Sequence, residues 1–150
     1  MKKNILMYFS YTIALFIIIF WLIFLYFWTQ PRACFDDKCF FVEIADDTES
    51  RKKWLMWVDK LKEDEWMLFV YQEPWKYWFW MKNMEIPLDI IWINEYKEVI
   101  HIEEDVQPCE EQQECKIHYP KEKANYVLEV KSWKVEKHDI ELWNSVLVRY

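Results

Sequence analysis

The chain of 150 residues contains no glycine, and this absence constrains its turns more than any other feature of the sequence. Glycine makes up roughly 7% of an average protein, so about ten glycines would be expected in this length. Glycine takes positive φ at little steric cost and therefore serves in tight turns and directly after helices. Tryptophan, in contrast, occurs eleven times. Either other residues build the turns, or some tryptophans occupy positions that belong to glycine.

Several tryptophans lie at positions where glycine is the usual choice. Trp54 follows a short predicted helix, Trp66 closes a charged run before an apolar strand, and Trp143 lies in a turn before the last strand. Some bacterial lineages read the codon UGA as glycine, whereas a common alternative code reads it as tryptophan. We therefore interpret part of the tryptophans as glycines decoded with the wrong genetic code. Trp80 and Trp92 lie within apolar strand patterns and fit as genuine tryptophans, and the alternative is a Trp-rich protein without glycine.

The N-terminus has the pattern of a membrane anchor. Residues 5–28 form 24 consecutive positions without a charge, and a helix of that length spans about 36 Å, enough to cross a bilayer. Lys2 and Lys3 favour a cytoplasmic N-terminus. We expect an uncleaved single-pass anchor at 1–30, a juxtamembrane linker at 31–38 and an extracytoplasmic domain at 39–150. Cleavage after about residue 30 is the alternative.

The charge of the remainder limits its partners. Lys2 and Lys3 are the only charged side chains before residue 31, so the other 17 basic residues stand against all 26 acidic ones, a net charge of −9. Such a domain repels phosphate, and we expect no binding of nucleic acid. About 120 residues suffice for one domain, which we expect to be monomeric.

The four cysteines form two close pairs. Cys34 and Cys39 are five positions apart, and Cys109 and Cys115 are six apart. These spacings suit local disulfides in an oxidising compartment, although the sequence alone permits three connectivities. The alternative is a metal site made of Cys109, Cys115 and His118, with His101 upstream.

The apolar runs after the anchor are too short for helices and rich in aromatic and β-branched residues, which predicts strands. We expect strands at 40–45, 67–71, 77–81, 88–93, 98–102, 126–131 and 146–149. Short helices are predicted from about residue 47 to Leu55 and at 132–138, with a further turn or helix at 61–65. Residues 103–125 read as a long surface loop. The pattern predicts a mainly β (α+β) domain, a compact antiparallel sheet or barrel of about seven strands with two short helices.

One block of the sequence resembles a known family. The stretch Phe79-Trp80-Met81-Lys82-Asn83, followed by Ile86-Pro87-Leu88-Asp89, is similar to the domain of unknown function 192 family, and the likeness extends over about residues 39–150. The resemblance implies a small β-rich domain, often exported or anchored, in bacteria and archaea, and it implies no reaction. Where the family has glycine, this chain has Trp54, Trp66, Trp133 and Trp143.

The polar residues of this block are the candidate site. Lys82 and Asp89 could form a buried ion pair that serves as an acid/base pair or a ligand clamp, since a buried carboxylate needs a cation or several hydrogen bonds. Asp89 could instead accept backbone N–H bonds from the turn at 84–87. Trp80 could stack on a sugar or another flat ligand, with Asn83 beside it.

Two classes of function follow. The first is a binding module that offers Trp80, Lys82, Asn83 and Asp89 to a small ligand, envelope glycan or peptide. The second is a hydrolytic enzyme that uses Asp89 and Lys82, and a structural subunit of an envelope complex is a third. Because no recognisable nucleophile–base pair or phosphate loop is present, binding is favoured and no cofactor is expected.

Overall fold

The computed structural model describes residues 2–36, 38–53, 66–109 and 114–150, with side chains of 2–10, 52 and 53 excepted. The chain divides into two compact units, residues 1–30 and 31–150. The expectations for Trp54, for the end of the first short helix near Leu55 and for the turn at 61–65 lie outside the described residues.

The first unit is one apolar helix, α1 (Lys2–Thr29). Its segment Tyr11–Thr29 comprises 19 residues with a mean hydropathy of 2.4, and all the side chains of this segment are exposed. The helix is therefore long and apolar enough to span a membrane. Single-pass anchors and N-terminal export signals share these properties.

The second unit is mainly β. Its described residues form nine strands: β1 (Arg32–Phe35), β2 (Lys38–Ala45), β3 (Trp66–Trp75), β4 (Phe79–Trp80), β5 (Leu88–Ile93), β6 (Val99–Val106), β7 (Ile117–His118), β8 (Ala124–Lys131) and β9 (Val146–Arg149). Two short helices accompany them, α2 (Thr48–Lys53) and α3 (Lys134–Lys137).

Seven of the strands form one curled sheet in the order β6-β5-β8-β3-β2-β1-β9, and β4 pairs with β7 in a separate two-stranded sheet. All neighbours are antiparallel except β2 and β3, which are parallel and are connected through α2. Arg51 of α2 donates hydrogen bonds to two carbonyl oxygens. One belongs to Asp46, directly after β2, and the other to Val70 in β3. This guanidinium therefore ties the end of β2 to β3.

The two edges of the large sheet approach each other at one end. Glu98, just before β6, forms a bridge with Ser145, just before β9. The Val146 N–H donates to the Lys97 carbonyl at 2.7 Å, and the Trp143 N–H donates to the Val99 carbonyl at 2.8 Å. The sheet is therefore a curled half-barrel rather than a flat layer, because its edge strands close on each other through the turns that precede them.

Each face of the large sheet carries a core. Leu68, Ile91 and Leu128 belong to the first, which α3 covers with Val135. Alternate residues of the same strands belong to the second core, for instance Met67, which packs with partly buried side chains of the β4 region. The β4–β7 sheet and its flanking turns thus cover the second face.

The sequence pattern predicted the architecture well. The mainly β fold is confirmed, and the strands predicted at 88–93 and 146–149 have the observed bounds. The others differ in length, and the predicted linker at 31–38 contains β1, which pairs with β2 and β9. The loop expected at 103–125 was too long an interpretation, because β6 continues to Val106 and β7 lies inside it. The acidic residues at the end of β6 and the short length of β7 made these strands hard to predict from the sequence.

Candidate functional site

The signature block alternates between buried and exposed side chains. Phe79 and Met81 pack into the second core, whereas the Trp80 side chain is 41% exposed. The Lys82 ammonium lies 5.4 Å from the centroid of the Trp80 ring. This alternation is that of a strand with one covered face, and it places Trp80 on the side of β4 that faces away from the core.

The strand β7 supports Trp80 from the side. Phe79 pairs with His118 and Trp80 pairs with Ile117, whose side chain is half exposed. We call the exposed surface formed by Trp80, Lys82 and Ile117 the outer face. The exposed charged side chains around β7 have both signs: Lys116, Lys121 and Lys123, and Glu114 and Glu122.

Asn83 follows directly and has an unusual backbone. Its φ is 61°, in the left-handed region that asparagine tolerates better than most residues. Its side-chain Oδ1 is buried and finds no donor among the described residues. Three of the four predicted binding residues, Trp80, Lys82 and Asn83, therefore lie together at the end of β4.

Asp89 lies elsewhere and is completely buried. Its Oδ1 accepts a hydrogen bond from the Asp105 N–H at 2.9 Å, and its Oδ2 accepts one from the Val135 N–H at 3.0 Å. The Ser132 hydroxyl extends the network to the Asp105 carboxylate at 2.6 Å. Asp89 alternates along β5 with Leu88 and Ile90 of the second core, so its side chain lies on the opposite face of the sheet from β4.

The predicted Lys82–Asp89 pair is thus not brought together. Both carboxylate oxygens of Asp89 are bound by backbone N–H groups, as the alternative interpretation expected, although the donors are Asp105 and Val135 rather than the turn at 84–87. The Lys82 charge lies beside an indole instead. This geometry favours a structural role for Asp89.

The predicted disulfides are confirmed. Cys34 is bonded to Cys39 across the β1–β2 hairpin, and Cys109 is bonded to Cys115. The two sulfurs of the predicted metal site are therefore engaged with each other. No group of three or more His, Cys, Asp or Glu residues in the described ranges has an arrangement that could hold a metal ion.

A polar cluster that the sequence analysis missed surrounds Glu103 of β6. Its Oε2 lies 2.5 Å from Nδ1 of His118 and 3.4 Å from Nζ of Lys116, and its Oε1 lies 3.7 Å from Nε2 of His101. Burial raises the pKa of Glu103, but the hydrogen bond from His118 and the charges of His118 and Lys116 outweigh it and hold the pKa below its usual value. The only sequence signal for this cluster was the spacing of His101 and Glu103, which places both on one face of a strand. Lys116 and His118 come from a separate segment of the chain.

A second missed group is Glu129 of β8. It is buried between its pairing partners Met67 and Ile90, and burial raises its pKa to about 8. No cation or hydrogen-bond donor contacts it among the described residues. A glutamate within the apolar run 126–130 was the available sequence signal.

The fold and the outer face define a small mainly β domain with an exposed surface of aromatic and lysine side chains, preceded in the chain by an apolar helix. The chain belongs to the domain of unknown function 192 family, described as an uncharacterised ACR, which matches residues 32–146. The predicted resemblance is confirmed in this respect.

Two solved structures are similar. One is a candidate transcription regulator from Sinorhizobium meliloti 1021, with 26% identity and a TM-score of 0.70, covering 79% of this chain and 92% of the other. The second is a protein of unknown function from Novosphingobium aromaticivorans DSM 12444, also with 26% identity and a TM-score of 0.70, covering 78% and 83%. No curated protein matches the chain.

Proposed function

We propose that the protein is a membrane-anchored, extracytoplasmic binding module whose outer face recognises an acidic saccharide of the cell envelope. The observation that carries this proposal is the exposed Trp80 ring with the Lys82 ammonium beside it, next to Met81, which is buried in the second core. An exposed indole at this position contributes little to the core. A ligand that packs on the ring would bury this exposed surface.

The chemistry of the outer face matches a sugar that carries a carboxylate. The apolar face of a pyranose ring can pack on an indole, which combines a large apolar surface with a polar edge. A lysine ammonium next to the ring can pair with a carboxylate of the same sugar. The Lys82 ammonium beside the Trp80 ring attracts an anionic group of the ligand.

The anchoring and the compartment rest on separate observations. The α1 helix is long and apolar enough to span a bilayer, and Lys2 and Lys3 precede it. Lysines before an apolar span favour a cytoplasmic N-terminus, which leaves residues 31–150 outside the cytoplasm. The two disulfides support the same orientation because such bonds persist in oxidising compartments.

The proposal also includes the identity of four residues, Trp54, Trp66, Trp133 and Trp143, as glycines in the native protein. Trp133 and Trp143 have φ of 75° and 71°, and they are the only aromatic residues with positive φ in the described part of the chain. A bulky residue is a genuine outlier in this region. Trp66 is buried against Phe40, and its indole N–H has no acceptor among the described residues. Trp54 lies outside the described residues.

Peptide mass spectrometry of the natively expressed protein tests this identity directly. We expect peptides that contain residues 133 and 143 to have masses corresponding to glycine, and the peptide with Trp92 to retain tryptophan. Tryptophan masses at both positions would refute the proposal. The same measurement without reduction detects the two disulfides and therefore the oxidising compartment.

Three other functions have less support. A hydrolytic enzyme that uses Asp89 and Lys82 would need an accessible carboxylate, whereas Asp89 is fully buried and hydrogen-bonded to the backbone. A role in transcription, which the description of the Sinorhizobium protein would suggest, conflicts with the acidic charge of residues 31–150. A structural role in an envelope complex leaves the exposure of Trp80 to be explained by a protein partner.

The binding experiment compares two sugars on the full chain in lipid nanodiscs. N-Acetylmuramic acid carries a lactyl carboxylate that N-acetylglucosamine lacks, so the pair isolates the contribution of the charge. We expect N-acetylmuramic acid to bind about tenfold more tightly, a factor that corresponds to about 1.4 kcal/mol. Lys82→Met should abolish this preference, and Trp80→Ala should weaken the binding of both sugars.

Matched controls are available at a distance from the outer face. Tyr96 is 74% exposed in the turn between β5 and β6, and Lys137 is exposed on α3. Tyr96→Ala and Lys137→Met should leave both affinities unchanged. The absence of binding by either sugar, or an equal effect of Trp80→Ala and Tyr96→Ala, would contradict the proposed function.

A further inference from the structure

The Glu103 carboxylate is the point where the large sheet meets the two-stranded β4–β7 sheet. Glu103 belongs to β6, whereas His118 belongs to β7 and Lys116 immediately precedes that strand. The 2.5 Å contact with His118 is short even for a charge-assisted hydrogen bond. Both partners are mostly buried, so solvent competes little with this contact.

The two side chains of β7 differ in exposure and in the residues that they contact. The His118 side chain is buried and contacts Glu103, while its pairing partner Phe79 packs into the second core. The neighbouring Ile117 is exposed and pairs with Trp80 on the outer face. Because β7 has only these two residues, a movement of His118 would also move Ile117, which pairs with Trp80.

The segment that leads to β7 is held at its other end by bonds that do not titrate. The Cys109 N–H donates to the Met81 carbonyl at 3.0 Å, and Cys109 also bridges Lys82. The Cys109–Cys115 disulfide then fixes the start of the segment that contains Lys116 and His118. Glu103 is thus the titratable contact of a segment that is otherwise held by a disulfide and by backbone hydrogen bonds.

We infer that the Glu103–His118 pair is a proton-linked latch that holds the outer face in its binding arrangement. The inference rests on the proposed binding function of that face. The groups that surround Glu103 are consistent with it: His101 on the same strand, Lys116 and His118 on the β7 side, and the apolar Ile90 opposite it on β5. Ile90 pairs with Glu103 on one side and with Glu129 on the other, so Glu129 is the next acidic residue across the sheet.

The direction of the pH effect follows from the charges. The pKa of Glu103 is lowered in the folded protein because His118 and Lys116 outweigh the effect of burial. The contribution of the latch is therefore lost as the pH falls through this lowered pKa, when the carboxylate is protonated. The latch therefore holds at pH values above the lowered pKa of Glu103.

Hydrogen exchange of the full chain in nanodiscs tests the latch without any ligand. Protection factors, corrected for the intrinsic pH dependence of exchange, are measured for residues 114–119 between pH 4 and pH 8. Glu103→Gln should reduce protection there at pH 6 by at least about tenfold, since a charge-assisted hydrogen bond is lost, and should flatten its pH dependence. Glu104→Gln, at the exposed neighbouring position, is the matched control and should behave like the unchanged protein.

Further variants and the sugar titration separate the possible failures. Lys116→Met removes one of the charged partners of Glu103, at an exposed position, and should give a smaller loss of protection. Hydrogen-exchange protection of residues 88–93 verifies that each variant is folded. Equal protection in Glu103→Gln and Glu104→Gln would overturn the latch. If exchange responds to Glu103→Gln but neither sugar binds, the proposed function fails while the latch stands. If both hold, the affinity for N-acetylmuramic acid should also fall about tenfold in Glu103→Gln.

Discussion

The Asp89 carboxylate and the backbone N–H of Val135 lie 3.0 Å apart, although 46 positions separate them in the sequence. The contact joins β5 to α3, and the second carboxylate oxygen joins β5 to the bulged end of β6 through the Asp105 N–H. Asp105 itself has φ of 49°, so its backbone conformation is supported by this bond. Asp89 therefore connects β5 to both β6 and α3 on the first face of the sheet.

Asp89→Asn should destabilise the domain by roughly 3 kcal/mol, because an amide nitrogen would face one of the two backbone donors and leave it unsatisfied. Urea unfolding of the full chain in detergent measures the change. Asp139→Asn is the matched control, since Asp139 is 82% exposed in a surface ion pair with Lys38 and should change stability by less than about 0.5 kcal/mol. Equal stability of the two variants would remove the structural role of Asp89.

Glu129 should make the domain less stable as the pH rises. Its pKa is raised to about 8 in the folded protein, so the unfolded chain releases this proton first and binds fewer protons between about pH 4.5 and pH 8. Glu129→Gln lacks this penalty, and its advantage over the unchanged protein should grow by up to about 1.4 kcal/mol per pH unit over that range and remain constant above pH 8. Unfolding at pH 5 to 9 measures it, with Glu122→Gln as the exposed control. A difference that does not change with pH would contradict the burial of an unpaired carboxyl.

Trp133→Gly and Trp143→Gly should each stabilise the protein by about 1 kcal/mol. Both residues have positive φ, which costs a residue with a Cβ roughly 1–2 kcal/mol, and their side chains are exposed and lose little packing. Trp92→Gly should instead destabilise by more than about 3 kcal/mol, because Trp92 is buried and its indole donates to the Tyr77 carbonyl at 2.9 Å. Thermal unfolding of the three variants decides the matter. A loss of stability in all three would show that the turns tolerate tryptophan.

Removal of either disulfide should reduce stability by about 2 kcal/mol, since both close short loops. The local effects should differ. Cys109→Ala with Cys115→Ala should increase exchange at β7, whereas Cys34→Ala with Cys39→Ala should increase exchange in the β1–β2 hairpin. Exchange mass spectrometry compares the two double variants. The same exchange pattern in both would show that neither disulfide acts locally.

The architecture was largely readable from the sequence, and the site only in part. The buried runs around Leu88 and Val127 predicted strands because β-branched and apolar residues concentrate where both faces of a sheet are covered. The exposure of Trp80 was not predicted, although its alternation with the buried Met81 along the chain accounts for it. These features depend on local sequence.

The missed features depend on contacts between distant segments. The strand β7 has only two residues, too few for a strand pattern in the sequence, and it is defined by its pairing with β4. The cluster around Glu103 needs this pairing before His118 can approach. The two donors of Asp89 likewise come from β6 and α3, which no spacing in the sequence relates to β5.

The pairing of β1 with β9 has a mechanical consequence. Arg32, just after the apolar helix, lies opposite Arg149, next to the last residue, while Phe35 lies opposite Val146 at the other end of the pair. A pulling force applied between an anchored N-terminal helix and a load on Tyr150 would enter both strands at the same end. The hydrogen bonds of the pair would then break one after another, as in a zipper, and the domain would yield to tension at a far lower force than strands loaded from opposite ends.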